Sequence, residues 1–412
     1  MQKINIIGLG YIGLPTASIL ATKGYDVLGV DISENIVNTI NAGGTHIIEP
    51  DLDIVVKAAV QSKKLRASTK MEVADVHIIA VPTPFKTGYL PDLTYVEAAT
   101  ETLCAVLKSG DLVILESTSP VGTTENIYKI IQNKIPEIAK TIFVAHSPER
   151  VIPGRVLQEL IQNDRVIGGV NPASTQKAVD FYRTFVSGEV IATNARTAEM
   201  CKLAENAFRD VNIAYANELS LICDEMNINV WELIQLANRH PRVNILQPGP
   251  GVGGHCIAVD PWFIVHAAPH RAKLIYQARK VNESKPEWVI DQVTKAARQF
   301  DNPVVACLGA TFKPDIDDLR ESPALSIIHE LQKKNIGKIV TVEPHVENLK
   351  SVKLVDLDFA IDNADIIVLL VKHQQFQSIH KSALENKYIV DTVGLFQGVE
   401  NNVSVDVTAV CS

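Results

Sequence analysis

The ten residues INIIGLGYIG, numbers 4–13, place the pattern G-x-G-x-x-G directly after a short β-branched run. In a strand–turn–helix unit, Gly8 makes the turn, Gly10 lets the backbone approach a pyrophosphate, and Gly13 lets helix and strand pack closely. The start of the following helix adds amide donors and a positive dipole end. We therefore predict a dinucleotide-binding βαβ unit, whose cofactor contacts in this turn are Gly8, Gly10, Tyr11, Ile12 and Gly13.

Asp31 follows Gly13 by eighteen residues, at the end of the next predicted strand, residues 27–30. A carboxylate at this place accepts hydrogen bonds from ribose hydroxyls. The residues after it, ISE, contain no Arg or Lys that would neutralise a 2′-phosphate, so the sequence favours NAD over NADP. The alternative is a dinucleotide fold without a cofactor, and the turn, the helix and the acid together argue against it.

The composition excludes several classes of protein. The chain has 412 residues, of which 46% are hydrophobic and 21% charged, which is enough for two or three globular domains. A net charge of −8 argues against nucleic acid or an anionic membrane as the main partner. The sequence shows neither a signal-peptide pattern nor a membrane-spanning run, so we expect a cytoplasmic protein. Its six cysteines lack disulfide-type or zinc-type spacing, and we expect reduced thiols and no metal site.

Short β-branched runs alternate with helical patterns in the first part of the chain, which predicts a doubly wound, parallel α/β sheet of the Rossmann type. The predicted strands are residues 4–8, 26–30, 76–81, 112–116, 142–145 and 165–168, and the predicted helices are 14–23, 33–42, 51–61 and 94–107. Two loops at carboxyl ends of these strands, residues 81–84 and 116–124, are rich in hydroxyl groups and prolines, which are also typical of ordinary turns. Ligands of such sheets bind at these ends, so we expect cofactor or substrate contacts there.

The pattern changes from residue 197 to residue 238, where good helix formers replace the strand-like runs. A second helical stretch, residues 272–300, is predicted to be broken by Pro286. The βα alternation then resumes, with strands at 304–308, 338–342, 366–371 and 388–391 and a helix at 324–334. We predict three domains: a Rossmann domain (1–190), a helical middle domain (191–301) and a smaller Rossmann-like α/β domain (302–412).

The stretch PGPGVGGHCIAVDPW, residues 248–262, cannot form a helix or an ordinary strand, because it holds four glycines and three prolines. Glycines beside a thiol let backbone and substrate approach it, which favours a reactive Cys256 over a buried structural one. Asp260 follows four residues later. His255 is adjacent in sequence and makes a poor metal pair with the thiol. Further back, Lys202 and Asn206 share one helix face, where an amine and an amide can hold a sugar oxygen. Taken alone, such a pair is more typical of an ordinary exposed helix surface.

These motifs, together with Ser117-Thr118, Ser147-Pro148-Glu149 and residues 311–322, occur in an order that resembles the UDP-glucose/GDP-mannose dehydrogenase family over essentially the whole chain. The resemblance implies an NAD-dependent, four-electron oxidation of a UDP-sugar at C6, and a homodimer through the middle helices. The catalytic residues that it implies are Cys256, Lys202, Asn206, Asp260, Thr118 and Glu149. Further cofactor contacts would come from Thr83, Thr118, Thr124 and Arg320. The substrate contacts that it implies are Arg150, Val151, Lys202, Asn206, Arg209, His240, Arg242, Gly253, Phe312 and Lys313.

The resemblance also implies a covalent mechanism, in which the Cys256 thiolate captures an aldehyde and passes through a thiohemiacetal to a thioester. Asp260, Glu149 and Thr118 are the candidates for activating the hydrolytic water. Residues 239–251 and 256–263 resemble members acting on UDP-N-acetyl-D-mannosamine. Val259 stands where UDP-glucose enzymes usually carry a lysine, which disfavours glucose. UDP-N-acetylglucosamine stays open as an alternative, and UDP-glucose is less favoured.

Two other functional classes share part of these features. A two-electron β-hydroxyacid dehydrogenase would have the Rossmann turn and a helical lysine, but it would need no thiol. A non-catalytic NAD-binding sensor would give no reason for Cys256, Lys202 and Asn206 to occur together. The cysteine loop therefore discriminates against both alternatives.

Overall fold

An eight-stranded sheet forms the centre of the N-terminal unit in the computed structural model, which describes residues 2–254 and 256–396. The chain divides into two units between Glu205 and Asn206. The first-unit strands are β1 (Lys3–Ile7), β2 (Asp26–Val30), β3 (Leu65–Ser68), β4 (Val76–Ile79), β5 (Phe85–Lys86), β6 (Leu90–Pro91), β7 (Leu112–Leu115), β8 (Phe143–His146), β9 (Arg165–Gly169) and β10 (Val190–Asn194). Strands β5 and β6 form a separate short hairpin.

The order across the large sheet is β10-β9-β8-β7-β4-β1-β2-β3. All neighbours pair in parallel except β8 and β9, so β9 and β10 run opposite to the other six strands. The predicted α/β class and the predicted strands are confirmed. The edge strands β3 and β10 were not predicted; of their residues, LRAS and VIATN, only two and one respectively are buried. An edge strand needs fewer buried side chains than a central one, so its sequence signal is weaker.

Helices cover both faces of this sheet. They are α1 (Gly13–Thr22), α2 (Glu34–Asn41), α3 (Leu52–Gln61), α4 (Thr94–Leu103), α5 (Thr123–Lys134), α6 (Pro136–Ala139), α7 (Val156–Gln162) and α8 (Pro172–Tyr182). Ile6 and Ile78 belong to one buried cluster, whereas Ile7 and Ile79 belong to another. Successive side chains of a strand point to opposite faces, so the two clusters are the cores on the two sides of the sheet.

The second unit combines helices with a four-stranded parallel sheet of order β12-β11-β13-β14. Helix α9 (Ala195–Glu225) begins in the first unit and ends in the second, and it covers most of the helical stretch predicted for residues 197–238. The remaining elements are α10 (Val230–Ala237), α11 (Asp260–Ala267), α12 (Lys273–Ala297), β11 (Val304–Leu308), α13 (Pro323–Lys334), β12 (Lys338–Val342), α14 (Leu357–Asn363), β13 (Ile366–Leu369), β14 (Tyr388–Asp391) and two 3₁₀ helices, Gln374–Ser378 and Lys381–Leu384.

Helix α12 corrects one prediction, because it continues through Pro286 instead of breaking there. Pro286 has no N–H to donate to the carbonyl of Asn282, and that missing bond disfavours the helix. Side chains on both sides of the proline, including Asn282 and Val289, are buried, so packing holds the helix together. No helix in the described residues is both long and apolar enough to span a membrane.

Candidate active site

The glycine turn of the first unit has the shape that a dinucleotide pyrophosphate requires. Gly8 has φ +91°, and a Cβ there would lie 2.6 Å from the carbonyl oxygen of Ala80. A Cβ on Gly13 would lie 1.8 Å from the carbonyl oxygen of Gly8. Gly10 faces open space, with no heavy atom within 4 Å of an added Cβ. Two glycines therefore close the turn, and the third leaves room in front of it.

Helix α1 starts at this turn and presents its first amides to the same space. Its N-cap residue, Ile12, makes no side-chain cap hydrogen bond, and Tyr11 is 39% exposed. An anionic group in front of the turn would meet the positive end of the helix dipole. The turn thus fits the pyrophosphate of NAD.

Asp31 lies beside the turn, at the end of β2. Its carboxylate accepts hydrogen bonds from the N–H groups of Leu9 at 3.0 Å and Ser33 at 2.9 Å, which fix its position. His46, which the sequence did not single out, interacts with Asp31 and the backbone of Leu9. Burial lowers the pKa of His46, although Asp31 acts in the opposite direction. A neutral imidazole adds no charge for a 2′-phosphate, which agrees with NAD as the cofactor.

The loops after β4 and β7 are tied together, as expected for neighbouring strands of one sheet. The Thr83 hydroxyl donates to the carbonyl oxygen of Thr118 at 2.6 Å, and the Ser117 hydroxyl donates to that of Val81 at 2.7 Å. Thr83 and Thr118 are half-buried. Both predicted cofactor contacts therefore lie at the carboxyl edge of the sheet, close to each other.

Thr124 has a different environment from the other predicted cofactor contacts. It is fully buried, and its hydroxyl donates to Glu199 at 2.6 Å. The N–H groups of Gly122 and Thr124 donate to the same carboxylate, at 2.6 and 2.7 Å. Glu199 thereby caps the start of α5, and burial raises its pKa despite these donors. The partners are more than seventy residues apart, so no local sequence pattern pointed to Glu199.

A buried cluster of acids lies beneath these loops. Glu149, which follows β8, forms a buried ion pair with Arg165 of β9. Glu116, at the end of β7, accepts hydrogen bonds from the hydroxyls of Tyr182 at 2.7 Å and Thr16 at 3.4 Å. Burial and, to a lesser degree, the negative charge of Glu149 raise the pKa of Glu116 to about 7. One arginine thus lies among two carboxylates, one of which binds a proton near neutral pH.

Three predicted substrate residues also lie in the first unit. The Arg150 guanidinium pairs with Glu205 at 2.7 Å and donates to the carbonyl oxygen of Asp164 at 3.2 Å. Val151 packs against the main hydrophobic core. Lys202 is half-buried on α9, one helical turn before Asn206. The ion pair leaves Arg150 less mobile than an exposed arginine would be.

In the second unit, Cys256 begins a tight turn into α11. Its carbonyl oxygen accepts hydrogen bonds from the N–H groups of Val259 at 3.0 Å and Asp260 at 2.8 Å. Cys256 is half-buried, and Asp260 is only 3% exposed. The Asn206 amide nitrogen donates to the Asp260 carboxylate at 2.5 Å. The fold therefore brings together three predicted catalytic residues, Asn206, Cys256 and Asp260. His255 lies outside the described residues.

The glycines before Cys256 allow the loop to pack closely against residues 312–323. A Cβ on Gly253 would lie 2.7 Å from the Cβ of Phe312. Gly254 has φ +81°, a Cβ there would lie 2.9 Å from the Phe312 ring, and its N–H donates to the carbonyl oxygen of Arg320 at 3.1 Å. Both positions exclude a side chain. The loop that carries Cys256 is thus positioned by direct contact with Phe312, a predicted substrate residue.

A buried network of amides holds the beginning of the same loop. The Gly249 N–H donates to the side-chain oxygen of Asn217 at 2.9 Å, and Asn217 donates to Asn282 at 2.9 Å. Asn282 and Arg279 both donate to the Asp210 carboxylate at 2.8 Å. Burial raises the pKa of Asp210, against the effect of Arg279. None of the four side chains, Asp210, Asn217, Arg279 and Asn282, was predicted, because each is an ordinary polar residue within a helical pattern.

The other predicted contacts in this unit lie on its surface. Arg209, His240, Arg242 and Lys313 are exposed. The segment with His240 and Arg242 is held by Asn238, whose side chain forms two hydrogen bonds with the backbone of Ile245, at 2.7 and 2.9 Å. The Arg320 guanidinium pairs with Asp318 at 2.6 Å. Five cysteines in the described residues form no disulfide: Cys104, Cys201, Cys223, Cys256 and Cys307.

Comparison with known proteins gives a consistent result along the whole chain. Three domain models of the UDP-glucose/GDP-mannose dehydrogenase family match it: the NAD binding domain over residues 2–186, the central domain over 196–284 and the UDP binding domain over 306–398. The chain is 55% identical over 407 residues to the NDP-N-acetyl-D-galactosaminuronic acid dehydrogenase of Ralstonia nicotianae, with 96% of each chain covered.

Two further relatives carry another name. The chain is 53% identical over 417 residues to the UDP-N-acetyl-D-mannosamine dehydrogenase of Yersinia pestis, covering 96% of this chain and 99% of that one. The solved structure of a UDP-D-ManNAc dehydrogenase from Pyrococcus horikoshii has a TM-score of 0.89 and 39% identity, with 96% of each chain covered.

Proposed function

The chain belongs to the UDP-glucose/GDP-mannose dehydrogenase family, and we propose that it oxidises the C6 hydroxyl of UDP-N-acetyl-D-mannosamine to the carboxylate. It is an NAD-dependent UDP-sugar dehydrogenase. The observation that carries the proposed chemistry is the hydrogen-bonded group of Asn206, Asp260 and the Cys256 turn. A two-electron dehydrogenase would not require such a thiol.

The chemistry needs a hydride acceptor twice, and bound NAD⁺ supplies it in both oxidations. In the first oxidation, Lys202 and Asn206 hold the C6 oxygen while it loses its proton. The Cys256 thiolate then adds to the aldehyde carbon, and the oxygen takes up a proton to give a thiohemiacetal. Loss of the remaining C–H as hydride, with the hydroxyl proton, leaves a thioester on Cys256.

Water completes the reaction by attacking the thioester carbon. The C–S bond breaks, Cys256 leaves as a thiolate, and the sugar carries a carboxylate. The balance is one alcohol, two NAD⁺ and one water giving one carboxylate, two NADH and three protons. Asp260, Glu149 and Thr118 are our candidates for positioning and deprotonating this water. Asp260 already contacts Asn206, which supports a role close to the reacting carbon.

The acetamido sugar is proposed from the sequence and from the relatives. Val259 replaces the lysine that UDP-glucose enzymes usually carry, and several relatives at 52–54% identity are named UDP-N-acetyl-D-mannosamine dehydrogenases. A relative at 55% identity is instead named for N-acetyl-D-galactosaminuronic acid, which makes the galacto sugar a second candidate. UDP-N-acetylglucosamine differs only at C2 and stays a third.

NADH formation with four UDP-sugars tests the function directly: UDP-ManNAc, UDP-GalNAc, UDP-GlcNAc and UDP-glucose. We expect the highest kcat/KM with UDP-ManNAc and two NADH per sugar consumed, measured at 340 nm against carboxylate product. A preference for another of the four sugars would replace our substrate assignment. A ratio of one NADH per sugar would remove the covalent mechanism.

We also propose that the protein is a cytoplasmic homodimer. Helix α9 exposes large apolar side chains at seven-residue and four-residue spacings: Phe208, Tyr215, Ile222 and Met226 are 72%, 51%, 44% and 64% exposed. Residues at these spacings share one face of a helix. An exposed apolar face of this kind favours association with a second copy. The free thiols favour a reducing compartment.

A further inference from the structure

The turn after the first strand of the second-unit sheet has the same geometry as the turn after β1, but the acid beside it has different hydrogen-bond partners. Gly309 follows β11 with φ +94°, and its N–H donates to the carbonyl oxygen of Val342 at 2.9 Å. Gly8 follows β1 with φ +91°, and its N–H donates to that of Val30 at 2.8 Å. Glu343 therefore stands after β12 at the place where Asp31 stands after β2.

The Glu343 carboxylate is buried and its oxygens accept hydrogen bonds from four donors. One oxygen accepts the N–H groups of Ala310 at 2.7 Å and Thr311 at 3.1 Å, and it lies 3.2 Å from Nε2 of His373. The other accepts the N–H of His345 at 3.0 Å. Burial alone would raise the pKa of Glu343, but the His373 contact and these amides lower it. One oxygen of this carboxylate is therefore saturated, and the other, which accepts the N–H of His345, keeps a single lone pair, so little capacity is left for a ribose hydroxyl.

His373 connects Glu343 to the far end of the same loop. It is fully buried, and its Nδ1 accepts the N–H of Asp315 at 3.0 Å. This bond assigns the ring proton to Nε2, which faces Glu343 and the Thr311 hydroxyl. Asp315, His345 and His373 hold possible metal-ligand atoms within 4.8 Å of one another. Nδ1 of His373 is hydrogen-bonded to Asp315, and its Nε2 faces Glu343 and Thr311, so both ring nitrogens take part in holding this part of the chain.

The loop that Glu343 and His373 fix, residues 310–315, carries Phe312 and Lys313. Phe312 is the side chain against which Gly253 and Gly254 pack, at the distances given above. Glu343 and His373 therefore contact the loop directly. Phe312 of that loop in turn contacts the glycines before Cys256.

We infer that Glu343 and His373 are positioning residues for UDP-sugar oxidation: they hold residues 310–315 so that Phe312 and Lys313 meet the substrate and Phe312 seats the Cys256 loop. The inference rests on the proposed function for the identity of the substrate. Glu343, the acid of the second Rossmann-like sheet, thus holds a loop of the sugar site instead of binding a ribose.

Substitution of His373 by Gln or Asn tests the inference, because each of these amide side chains can replace only one of the two ring nitrogens. His373→Gln can still donate towards Glu343, whereas His373→Asn can only reach the Asp315 N–H. We expect His373→Asn to raise the KM for the UDP-sugar and the Kd for UDP about tenfold, the size of one lost buried hydrogen bond. We expect a smaller rise for His373→Gln, and for both an unchanged Kd for NAD. Titration calorimetry with UDP and with NAD separately gives the two constants.

Alkylation by iodoacetamide provides a readout that needs no substrate. A loosened Phe312 should speed the labelling of Cys256 several-fold relative to Cys201, the half-buried thiol of the other unit, as followed by peptide mass spectrometry. The matched controls are His380→Asn and His380→Gln, since His380 is exposed in the same unit. Both controls should behave as the wild type.

The outcomes separate this inference from the proposed function. Folded His373 variants with wild-type UDP affinity and wild-type Cys256 labelling would overturn it, even if their melting temperature fell. If neither variant folds, Thr311→Val removes the hydroxyl beside His373 with little change of shape, and unchanged constants in that variant would overturn it equally. A wild-type enzyme that forms no NADH with any UDP-sugar would refute the function, while the labelling rates would still decide the inference.

Discussion

At Cys256 the main chain does most of the positioning. Two amides bond to its carbonyl oxygen, and Gly254 behind it adopts φ +81°. Cys256 as a residue is half-buried, and Asp260, whose N–H donates to its carbonyl oxygen, is almost fully buried. A reactive thiol needs access and fixed direction, and a turn with these constraints provides both.

Replacement of this sulfur should separate binding from chemistry. Cys256→Ser keeps the shape of the turn but replaces a strong nucleophile by a weak one. We expect complete oxidation to fall by a factor on the order of 10³ or more, with NAD and UDP affinity unchanged. Cys201→Ser, at another half-buried thiol, is the control and should keep full activity. Retention of most activity by Cys256→Ser would rule out the thioester.

Glu116 should make stability depend on pH. Burial, reinforced by Glu149, raises its pKa from 4.5 to about 7, so the folded chain keeps a proton that the unfolded chain releases. Its contribution to stability is therefore complete below pH 4.5 and is lost as the pH rises through about 7. We expect the difference in thermal midpoint, wild type minus Glu116→Gln, to fall between pH 5 and pH 8. The exposed Glu137→Gln should give a flat difference; a flat difference for Glu116→Gln would be the contrary result.

Residues of this kind mark the limit of sequence reasoning. The tasks of Gly8, Gly13 and Asp31 were predictable because spacing along one βαβ unit determines them. Glu199 and Glu343 bond to amides whose position depends on the complete sheet, and a glutamate in a helix or after a strand is usually only a surface residue. Their role emerges only when distant segments are folded together.

At the scale of elements, the loop of residues 248–262 depends on which glycine stands where. Gly254 meets the Phe312 ring, whereas an added Cβ on Gly249 would find its nearest atom at 3.9 Å. The composition of the loop predicted an irregular, shaped segment. It did not distinguish the indispensable glycines from the permissive ones, because that depends on residues more than fifty positions away.

The two glycines give a matched pair of substitutions. Gly254→Ala combines a left-handed backbone angle with a 2.9 Å approach to Phe312, so we expect a loss of about 1–2 kcal/mol in stability and a larger loss in kcat/KM for the UDP-sugar. Gly249→Ala should leave both nearly unchanged and keep the bond to Asn217. Chemical denaturation and steady-state kinetics measure the two effects; equal behaviour of the pair would contradict the packing described for Phe312.

Helix α12 shows how packing can overrule a local rule. A proline in mid-sequence predicts a break, and for an isolated helix it costs about 3 kcal/mol. Asn282, Lys285 and Val289 around Pro286 are buried, and Asn282 belongs to the network that holds Asn217. These contacts continue the helix across the proline. The edge strands β3 and β10 are the opposite case, since neighbouring strands stabilise segments with little β pattern of their own.

For the molecule as a whole, the exposed apolar stripe on α9, formed by Phe208, Tyr215, Ile222 and Met226, predicts a dimer. Ile222→Glu introduces a charge into the stripe, and we expect it to shift the protein from dimer to monomer in sedimentation velocity experiments. Ile54→Glu makes the same change at an isoleucine that is 64% exposed in α3, outside the stripe, and should leave the dimer intact. A wild-type protein that sediments as a monomer at micromolar concentration would disprove the association.

The burial of Glu343 bears on where NAD⁺ binds during the two proposed oxidations. In the described residues an added Cβ on Gly10 of the dinucleotide turn would meet no heavy atom within 4 Å, whereas Glu343, the acid after β12, accepts hydrogen bonds from the backbone amides of Ala310 and Thr311. If the turn at Gly8 is the one NAD⁺ site of the proposed reaction, two NAD⁺ molecules bind there one after the other. During the exchange, a covalent bond to Cys256 would keep the half-oxidised sugar from diffusing away. Scarcity of NAD⁺ would prolong that pause without releasing free aldehyde.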